Sequence, residues 1–292
     1  MIGNATLQYL NTGIAYTSPG ASHFVYNIFM SHLLTDPFHI HPVYYSFLIT
    51  IGSTSLISYW HSKPHYKKFK WSLVFALILL FHIILIYLLK SALFSLLYSV
   101  SVVFAFIYQN HQKIFNSKTK LSVAIIGAIL MGVFSYKGAK EKLDNFSVDY
   151  EVSNEHLSPM MMRFAIWECT WPVIKENLFF GAGVGDQQEK LNEAYKKNNF
   201  KILVDNNLQY NTHNQYLQYW LGIGLFGLIG FCILILILLK NAIQSKNIVF
   251  IVFAICFSIF SLNESTLQVQ KGIVMFSVLT PLFSYLPKFW KF

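Results

Sequence analysis

A histidine and an amide stand directly before a long apolar run, in "THNQYLQYWLGIGLFGLIG", residues 212–230. A helix capped by Asn211 or Thr212 would hold His213 in its first turn, where the positive helix end disfavours imidazolium. A neutral histidine can accept a proton as a general base, and the same helix end can bind an anion. The alternative is a histidine that only makes a structural hydrogen bond at a helix end.

Glycines cluster in two places near this histidine. Gly224, Gly227 and Gly230 predict a small-residue stripe that lets the helix pack closely against a neighbour. The upstream stretch "FFGAGVGDQQ", residues 179–188, predicts a sharp turn that leaves backbone N–H groups available. Its glycine spacing and surroundings do not fit a dinucleotide fingerprint. Asp186 in this stretch could orient a base or cap the next helix.

Two cations are candidates for binding an anion. Arg163 is the only arginine among 22 Lys and Arg residues, and its guanidinium offers a planar fork for phosphate oxygens. Lys90 lies in the tight turn of "IYLLKSALFSLL", between two apolar stretches that could each cross a membrane. The turn would lie on the external side, where lysine is disfavoured. The alternatives are an interfacial anchor at Arg163 and a snorkelling turn lysine at Lys90.

Membrane helices must position these residues. Hydrophobic residues make up 54% of the chain and charged residues 12%, whereas soluble domains have about a quarter charged. Stretches of about 18 or more apolar residues recur, which is enough to cross a bilayer. The sequence therefore predicts an all-α polytopic membrane protein with about seven transmembrane helices. The candidate spans are residues 42–60, 70–89, 92–109, 119–136, 214–239, 247–263 and 269–286.

Lysine clusters between the spans predict the orientation. All of them fall on one side if the spans alternate, and the positive-inside rule makes that side cytoplasmic. This also accounts for the net charge of +9 without a nucleic-acid partner. The predicted units are an external N-terminal segment 1–41, four spans in 42–137, a large periplasmic loop 138–212, three spans in 213–286 and a cytoplasmic tail 287–292. An external N-terminal segment suggests further helices upstream.

The large loop contains a predicted interfacial helix. Ser158 can cap "SPMMMRFAIWECTWPVIKEN", and Phe164, Trp167, Trp171 and Ile174 recur at helical spacing. Because tryptophan favours the membrane interface, this helix is expected to lie on the outer leaflet. A second, polar helix, "QQEKLNEAYKKN", follows. No Cys or His spacing in the chain supports a zinc site or a disulfide framework.

Together these residues resemble the O-antigen ligase family of bacterial membrane glycosyltransferases, which also includes O-antigen polymerases. The family carries His, then Asn, Ser or Gln, nine residues, and Gly-x-x-Gly. His213, Asn214, Gly224 and Gly227 have this spacing. A family pattern of Arg, Trp and Gly-x-Gly-x-Gly-Asp in the large loop is matched by Arg163, Trp167, Gly181, Gly183, Gly185 and Asp186.

The resemblance implies a function and assigns roles. His213 would be the catalytic base, Arg163 would bind the diphosphate of an undecaprenyl-diphosphate-linked glycan, and Lys90 corresponds to a second family arginine. The acceptor would be lipid A-core or another glycan, at the periplasmic face of the bacterial inner membrane. Transfer would invert the anomeric carbon without a metal or other cofactor. Family members have further spans upstream, so the resemblance implies that N-terminal helices are missing here.

Three other functions compete with a ligase. An O-antigen polymerase would join repeat units by the same chemistry. A transporter for an anionic lipid would use Lys90, Arg163 and His82 as a passage, although the paired halves typical of transporters are not evident. A non-catalytic membrane subunit is the third.

Overall fold

The computed structural model divides the chain into two compact units, Met1–Ala139 and Lys140–Lys291. The residues that the structure describes are 41–62, 77–78, 80–83, 97–98, 100–105, 107–108, 159–198, 200, 203 and 210–289. Throughout these residues the regular secondary structure is helical, which confirms the predicted all-α class for this part of the chain. The predicted span 119–136 and the segment 1–40 lie outside the described residues.

The first unit contains helix α1, Pro42–Ser62. Two of its buried hydroxyl groups donate hydrogen bonds to carbonyls one turn earlier in the same helix. Thr50 Oγ1 donates to the Ser46 carbonyl and Thr54 Oγ1 to the Thr50 carbonyl, both at 2.9 Å. Ser53 Oγ instead lies 2.7 Å from His82 Nδ1. His82 thus makes a hydrogen bond to another helix, which requires no part in a transport pathway.

The second unit is built from six α-helices and a short 3₁₀ turn in its described residues. They are α2 (Pro159–Glu176), α3 (Gln187–Lys197), α4 (Gln215–Ile223), α5 (Leu225–Ser245), α6 (Ile248–Phe260), the 3₁₀ turn Thr266–Gln268 and α7 (Gln270–Phe289). Among the described helices of the chain, α5 alone has the length and hydropathy to cross a bilayer, and α6 is apolar but shorter. The seven predicted spans stay a prediction.

The predicted fifth span, 214–239, is not one helix. It breaks at Gly224, whose φ of 77° and ψ of −160° cannot continue a helix. The backbone N–H of Leu225 donates to the carbonyl of Leu178, the residue before the glycine-rich turn, at 2.9 Å. A continuous apolar pattern does not reveal this interruption, because the hydrogen-bond partner of the break lies far away in the sequence.

Helices α2, α3 and α4 enclose a small core. Its central side chains are fully or almost fully buried: Ile166, Cys169, Ile174, Leu191, Tyr195 and Leu221. The predicted interfacial stripe on α2 is therefore divided, because Ile174 is buried whereas Phe164 and Trp171 are exposed. Burial, with the neighbouring Glu168 carboxylate, raises the pKa of the Cys169 thiol to about 11.

The buried thiol of Cys169 gives a test of this core. At pH 8 we expect maleimide to modify Cys169 at least about 100-fold more slowly in the folded protein than in the denatured chain, because the protonated thiol is a poor nucleophile. Peptide mass spectrometry after timed labelling measures the rate at this residue alone. Equal rates in the two states would contradict the packing of α2 against α3.

Candidate active site at the start of helix α4

The start of α4 is capped by Asn214. Its Oδ1 accepts the backbone N–H groups of Tyr216 and Leu217, at 3.0 and 3.2 Å. The expectation that Asn211 or Thr212 is the cap, with His213 in the first helical turn, is wrong. His213 precedes the helix at a φ of 45°, a region that non-glycine residues rarely adopt. Asn211 stabilises this conformation, because its Oδ1 accepts the His213 N–H at 2.9 Å.

Glu264 joins the two strongest candidates from the sequence. One carboxylate oxygen, Oε1, lies 2.8 Å from Arg163 Nη2, and the other, Oε2, lies 3.1 Å from His213 Nδ1. Arg163 Nε also donates to the Asn263 carbonyl at 3.3 Å. The three side chains are 18%, 28% and 13% exposed for Arg163, His213 and Glu264, so the cluster is largely but not completely enclosed.

This arrangement has a defined chemical capacity. An ionised carboxylate only accepts hydrogen bonds, so the contact with Glu264 assigns the hydrogen of a neutral His213 ring to Nδ1. The other ring nitrogen, Nε2, is then the proton acceptor. A carboxylate that orients an imidazole and stabilises the charge it gains is the arrangement of a catalytic acid–base pair. Within the described ranges, no three His, Cys, Asp or Glu side chains group as metal ligands.

Thr212, the residue before the histidine, is held by hydrogen bonds from two helices. Trp167 on α2 donates its Nε1–H to the Thr212 carbonyl at 2.8 Å. Gln218 on α4 accepts both the Thr212 N–H, at 3.0 Å, and its hydroxyl, at 2.8 Å. Thr212 and Gln218 are buried. Because a buried polar group is costly to leave unsatisfied, these contacts hold the backbone at His213 in place.

The glycine-rich turn connects to the same network. Gln187, the first residue of α3, accepts a hydrogen bond from Gln218 Nε2 at 3.0 Å. Asp186 lies at the N-cap position of α3 but its side chain makes no capping hydrogen bond. Neither of its two expected roles, orienting a base or capping, is observed. The turn is therefore linked to Thr212 through Gln187 and Gln218.

Three N–H groups of this turn, those of Gly181, Ala182 and Gly183, already donate hydrogen bonds within the protein, which the sequence did not predict. Those of Ala182 and Gly183 donate to the carbonyls of Leu221 and Gly222, at 2.7 and 3.1 Å. Gly181, with a φ of 73°, donates to Asn177 at 2.8 Å. The turn is thus hydrogen-bonded through its backbone to the end of α4, and these N–H groups are not available to an anion.

The three glycines at 224, 227 and 230 do not form one stripe against a neighbouring helix within the described part of the chain. A Cβ at Gly224 would collide with the Phe179 carbonyl, so this glycine permits contact with the turn. A Cβ at Gly227 would meet Ile223 and the Tyr219 carbonyl of the preceding helix. A Cβ at Gly230 would meet no atom of the described residues within 4 Å. The motif glycines therefore shape the break between α4 and α5, where two backbones cross too closely for a side chain.

Of the predicted site residues, the structure brings together His213, Arg163, Asn214 and Trp167, with Gly181, Gly183 and Gly224 supporting the other end of α4. Arg163 pairs with Glu264 and is mostly buried, which differs from an anchor that snorkels to lipid headgroups. Lys90 lies outside the described residues. The described members of the site all belong to the second unit.

Sequence reasoning missed Glu264. It lies 101 residues from Arg163 and 51 from His213, so no local spacing connects the three. One signal was present: Glu264 is the single acidic residue after Asp205, and it stands between two apolar runs. A lone carboxylate there requires a cationic or hydrogen-bonding partner.

Comparison with known proteins agrees with the sequence motifs. The family model described as O-antigen ligase matches residues 43–232, well over half of the chain. The match includes Arg163, the glycine-rich turn and the His213 motif, and it ends within α5, before Glu264. No curated protein matches the chain. The family match confirms the resemblance seen in the motifs, and the chain belongs to the O-antigen ligase family.

Proposed function

We propose that this protein transfers a glycan from undecaprenyl diphosphate to an acceptor hydroxyl, which in a ligase belongs to lipid A-core. Membership of the O-antigen ligase family supports the general class of reaction. The observation that carries the assignment to particular residues is the contact of one carboxylate, Glu264, with both His213 and Arg163, at 3.1 and 2.8 Å.

His213 is the proposed general base. Its Nε2 takes the proton of the acceptor hydroxyl while the hydroxyl oxygen forms a bond to the anomeric carbon. The bond from that carbon to the phosphate oxygen breaks, and undecaprenyl diphosphate leaves with the electron pair. A single displacement of this kind inverts the anomeric carbon. Glu264 orients the ring and stabilises the positive charge that His213 gains.

Arg163 is the proposed diphosphate ligand. Its contacts with Glu264 and with the Asn263 carbonyl fix the guanidinium beside His213. A cation at this position would stabilise the negative charge that builds up on the leaving diphosphate. Lys90 is proposed as a second cation, and the step needs no metal when side-chain cations neutralise the leaving group.

Replacement of Arg163 by lysine tests whether the planar guanidinium group is needed. We expect the KM for the lipid-linked donor to rise by about 10-fold or more, because an ammonium cannot keep both contacts and also bind phosphate oxygens bidentately. The measurement is initial transfer rate against donor concentration, with thermal unfolding of the same preparation as the control for folding. An unchanged KM would leave Arg163 with a structural role only.

The proposed setting is the inner membrane, with seven spans and the active site on the periplasmic side. Helix α5 supports this setting because it can cross a bilayer, and α6 follows it after a turn of two residues. The external position of the site rests on the lysine clusters between the predicted spans.

Complementation tests the function and separates its alternatives. In a host that lacks its own ligase, we expect the chain to restore glycan-capped lipopolysaccharide on a gel. Longer glycans in a host that lacks the polymerase, without capping in the first host, would indicate a polymerase. Movement of lipid-linked glycan with no new product would indicate transport and contradict the proposal.

A further inference from the structure

The glycine-rich turn carries strongly exposed apolar side chains. Phe180 is 82% exposed, Val184 64% and Phe179 57%. No charged residue lies between Glu176 and Asp186. We call residues 178–184 the aromatic turn. A contiguous exposed apolar surface of this kind marks an interaction site, because water contact of large aromatic side chains is unfavourable.

The exposure of the aromatic turn is built into the fold. Ala182 and Gly183 donate to the carbonyls at the end of α4, and Leu225 donates back to the Leu178 carbonyl at 2.9 Å. The close backbone contact between Gly181 and Gly224 leaves no space for a Cβ on either residue. The backbone that carries the phenylalanines is therefore fixed against the end of α4, with both aromatic side chains exposed.

The aromatic turn is continuous with the exposed face of α5. The rings of Phe180 and Phe226 lie 6.0 Å apart between centroids, and Phe226, in the first turn of α5, is 62% exposed. The same helix exposes further large aliphatic side chains along its length: Ile229, Ile233, Leu236, Ile237 and Ile243. One apolar surface thus runs from the turn along the helix that can cross a bilayer.

Polarity increases in the other direction, from the aromatic turn towards α2. Trp220 donates its Nε1–H to the Leu178 carbonyl at 3.3 Å and packs edge-on against Trp171, with centroids 5.5 Å apart. Lys175 Nζ lies 5.6 Å from the Trp171 ring centroid. The order of exposed groups is phenylalanine, tryptophan, then lysine. Hydrocarbon, interface and headgroup phosphate follow one another in this order at a membrane surface.

We propose that the aromatic turn inserts into the membrane leaflet at which α5 begins, with lipid acyl chains around Phe179 and Phe180. This inference rests on the membrane setting of the proposed function. Its consequence concerns the site, because the nine residues of α4 separate the anchored end from His213. A helix rises about 1.5 Å per residue, so α4 holds His213 at a fixed distance from the aromatic turn. An inserted turn therefore sets the distance between the catalytic cluster and the lipid surface, where the diphosphate of the donor is found.

Spin labels in liposomes test the insertion. Labels are attached to single cysteines at Phe180→Cys, Leu236→Cys and Glu189→Cys in the full chain, after the native cysteines are replaced. Oxygen, which concentrates in lipid, and a water-soluble nickel chelate are compared as relaxing agents. Leu236 is an exposed side chain on α5, and Glu189 is an exposed polar position on α3.

We expect the labels at 180 and 236 to respond to oxygen and the label at 189 to the chelate. A label at 180 that responds to the chelate, while 236 responds to oxygen, would overturn the insertion and leave the membrane span intact. Chelate access at both 180 and 236 would overturn the insertion together with the proposed membrane setting. Dipolar broadening between labels at 180 would show that a second copy covers the turn, and would also overturn the inference.

Discussion

Substitution of His213 by alanine is expected to lower the rate of glycan transfer by about 10²–10⁴-fold, the usual contribution of a general base. The loss should appear in the rate constant for transfer more than in the KM for the donor, because the imidazole acts on the acceptor hydroxyl. The measurement is the initial transfer rate in membranes at saturating donor. Residual folding is checked by thermal unfolding, since His213 is partly exposed and its loss removes one contact with Glu264.

Glu264 provides the control for this mechanism. Glu264→Gln alone should also reduce transfer. A neutral amide at this position can neither stabilise the positive charge on His213 nor form an ion pair with Arg163. If the two residues act as a unit, the loss in the double variant should be clearly smaller than the product of the two single losses, a non-additivity expected of a catalytic pair. Glu189→Gln removes an exposed carboxylate on α3 in the same way. It is the matched control, and this variant should transfer normally. Full additivity of the two losses would contradict the carboxylate–histidine pair.

Substitution of Gly224 by alanine is expected to destabilise the second unit by more than about 4 kcal/mol, the range seen when a change forces a backbone apart. The added Cβ would collide with the Phe179 carbonyl, and the φ of 77° is unfavourable for alanine whatever the space. Both effects act on backbone atoms, which cannot move aside as a flexible side chain can. The measurement is the free energy or midpoint of unfolding in detergent, with folded yield as a second readout.

Gly230→Ala is the matched control, because it lies in the same family region of the chain but inside α5. No described residue lies within 4 Å of a Cβ there. Alanine favours the helix over glycine by roughly 0.8–1 kcal/mol, so this variant should be as stable as the wild type or slightly more stable. Equal stability of Gly224→Ala and Gly230→Ala would contradict the close crossing of the aromatic turn and the helix break.

The amino-acid sequence determined several features by itself. His213, Asn214 and the spaced glycines indicated the O-antigen ligase family, which the family match confirms. The spacing of apolar residues predicted α2, a polar stretch predicted α3, and apolar runs predicted α6 and α7, all close to where the helices occur, because these patterns report local backbone structure. Arg163 was singled out by its chemistry, since it is the one guanidinium in the chain.

Tertiary structure decided how these residues are used. The break at Gly224 and the hydrogen bonds of Ala182 and Gly183 to the end of α4 depend on backbone groups that only folding brings together. The cap at Asn214 likewise became visible only in the folded structure. The clearest case is Glu264, which joins Arg163 and His213 across 101 and 51 residues. Sequence patterns show which face of a helix is apolar, but the partner of a buried charge is chosen by the packing of elements distant in the chain. For that reason the sequence could point to the histidine, and it could not point to the carboxylate that contacts it.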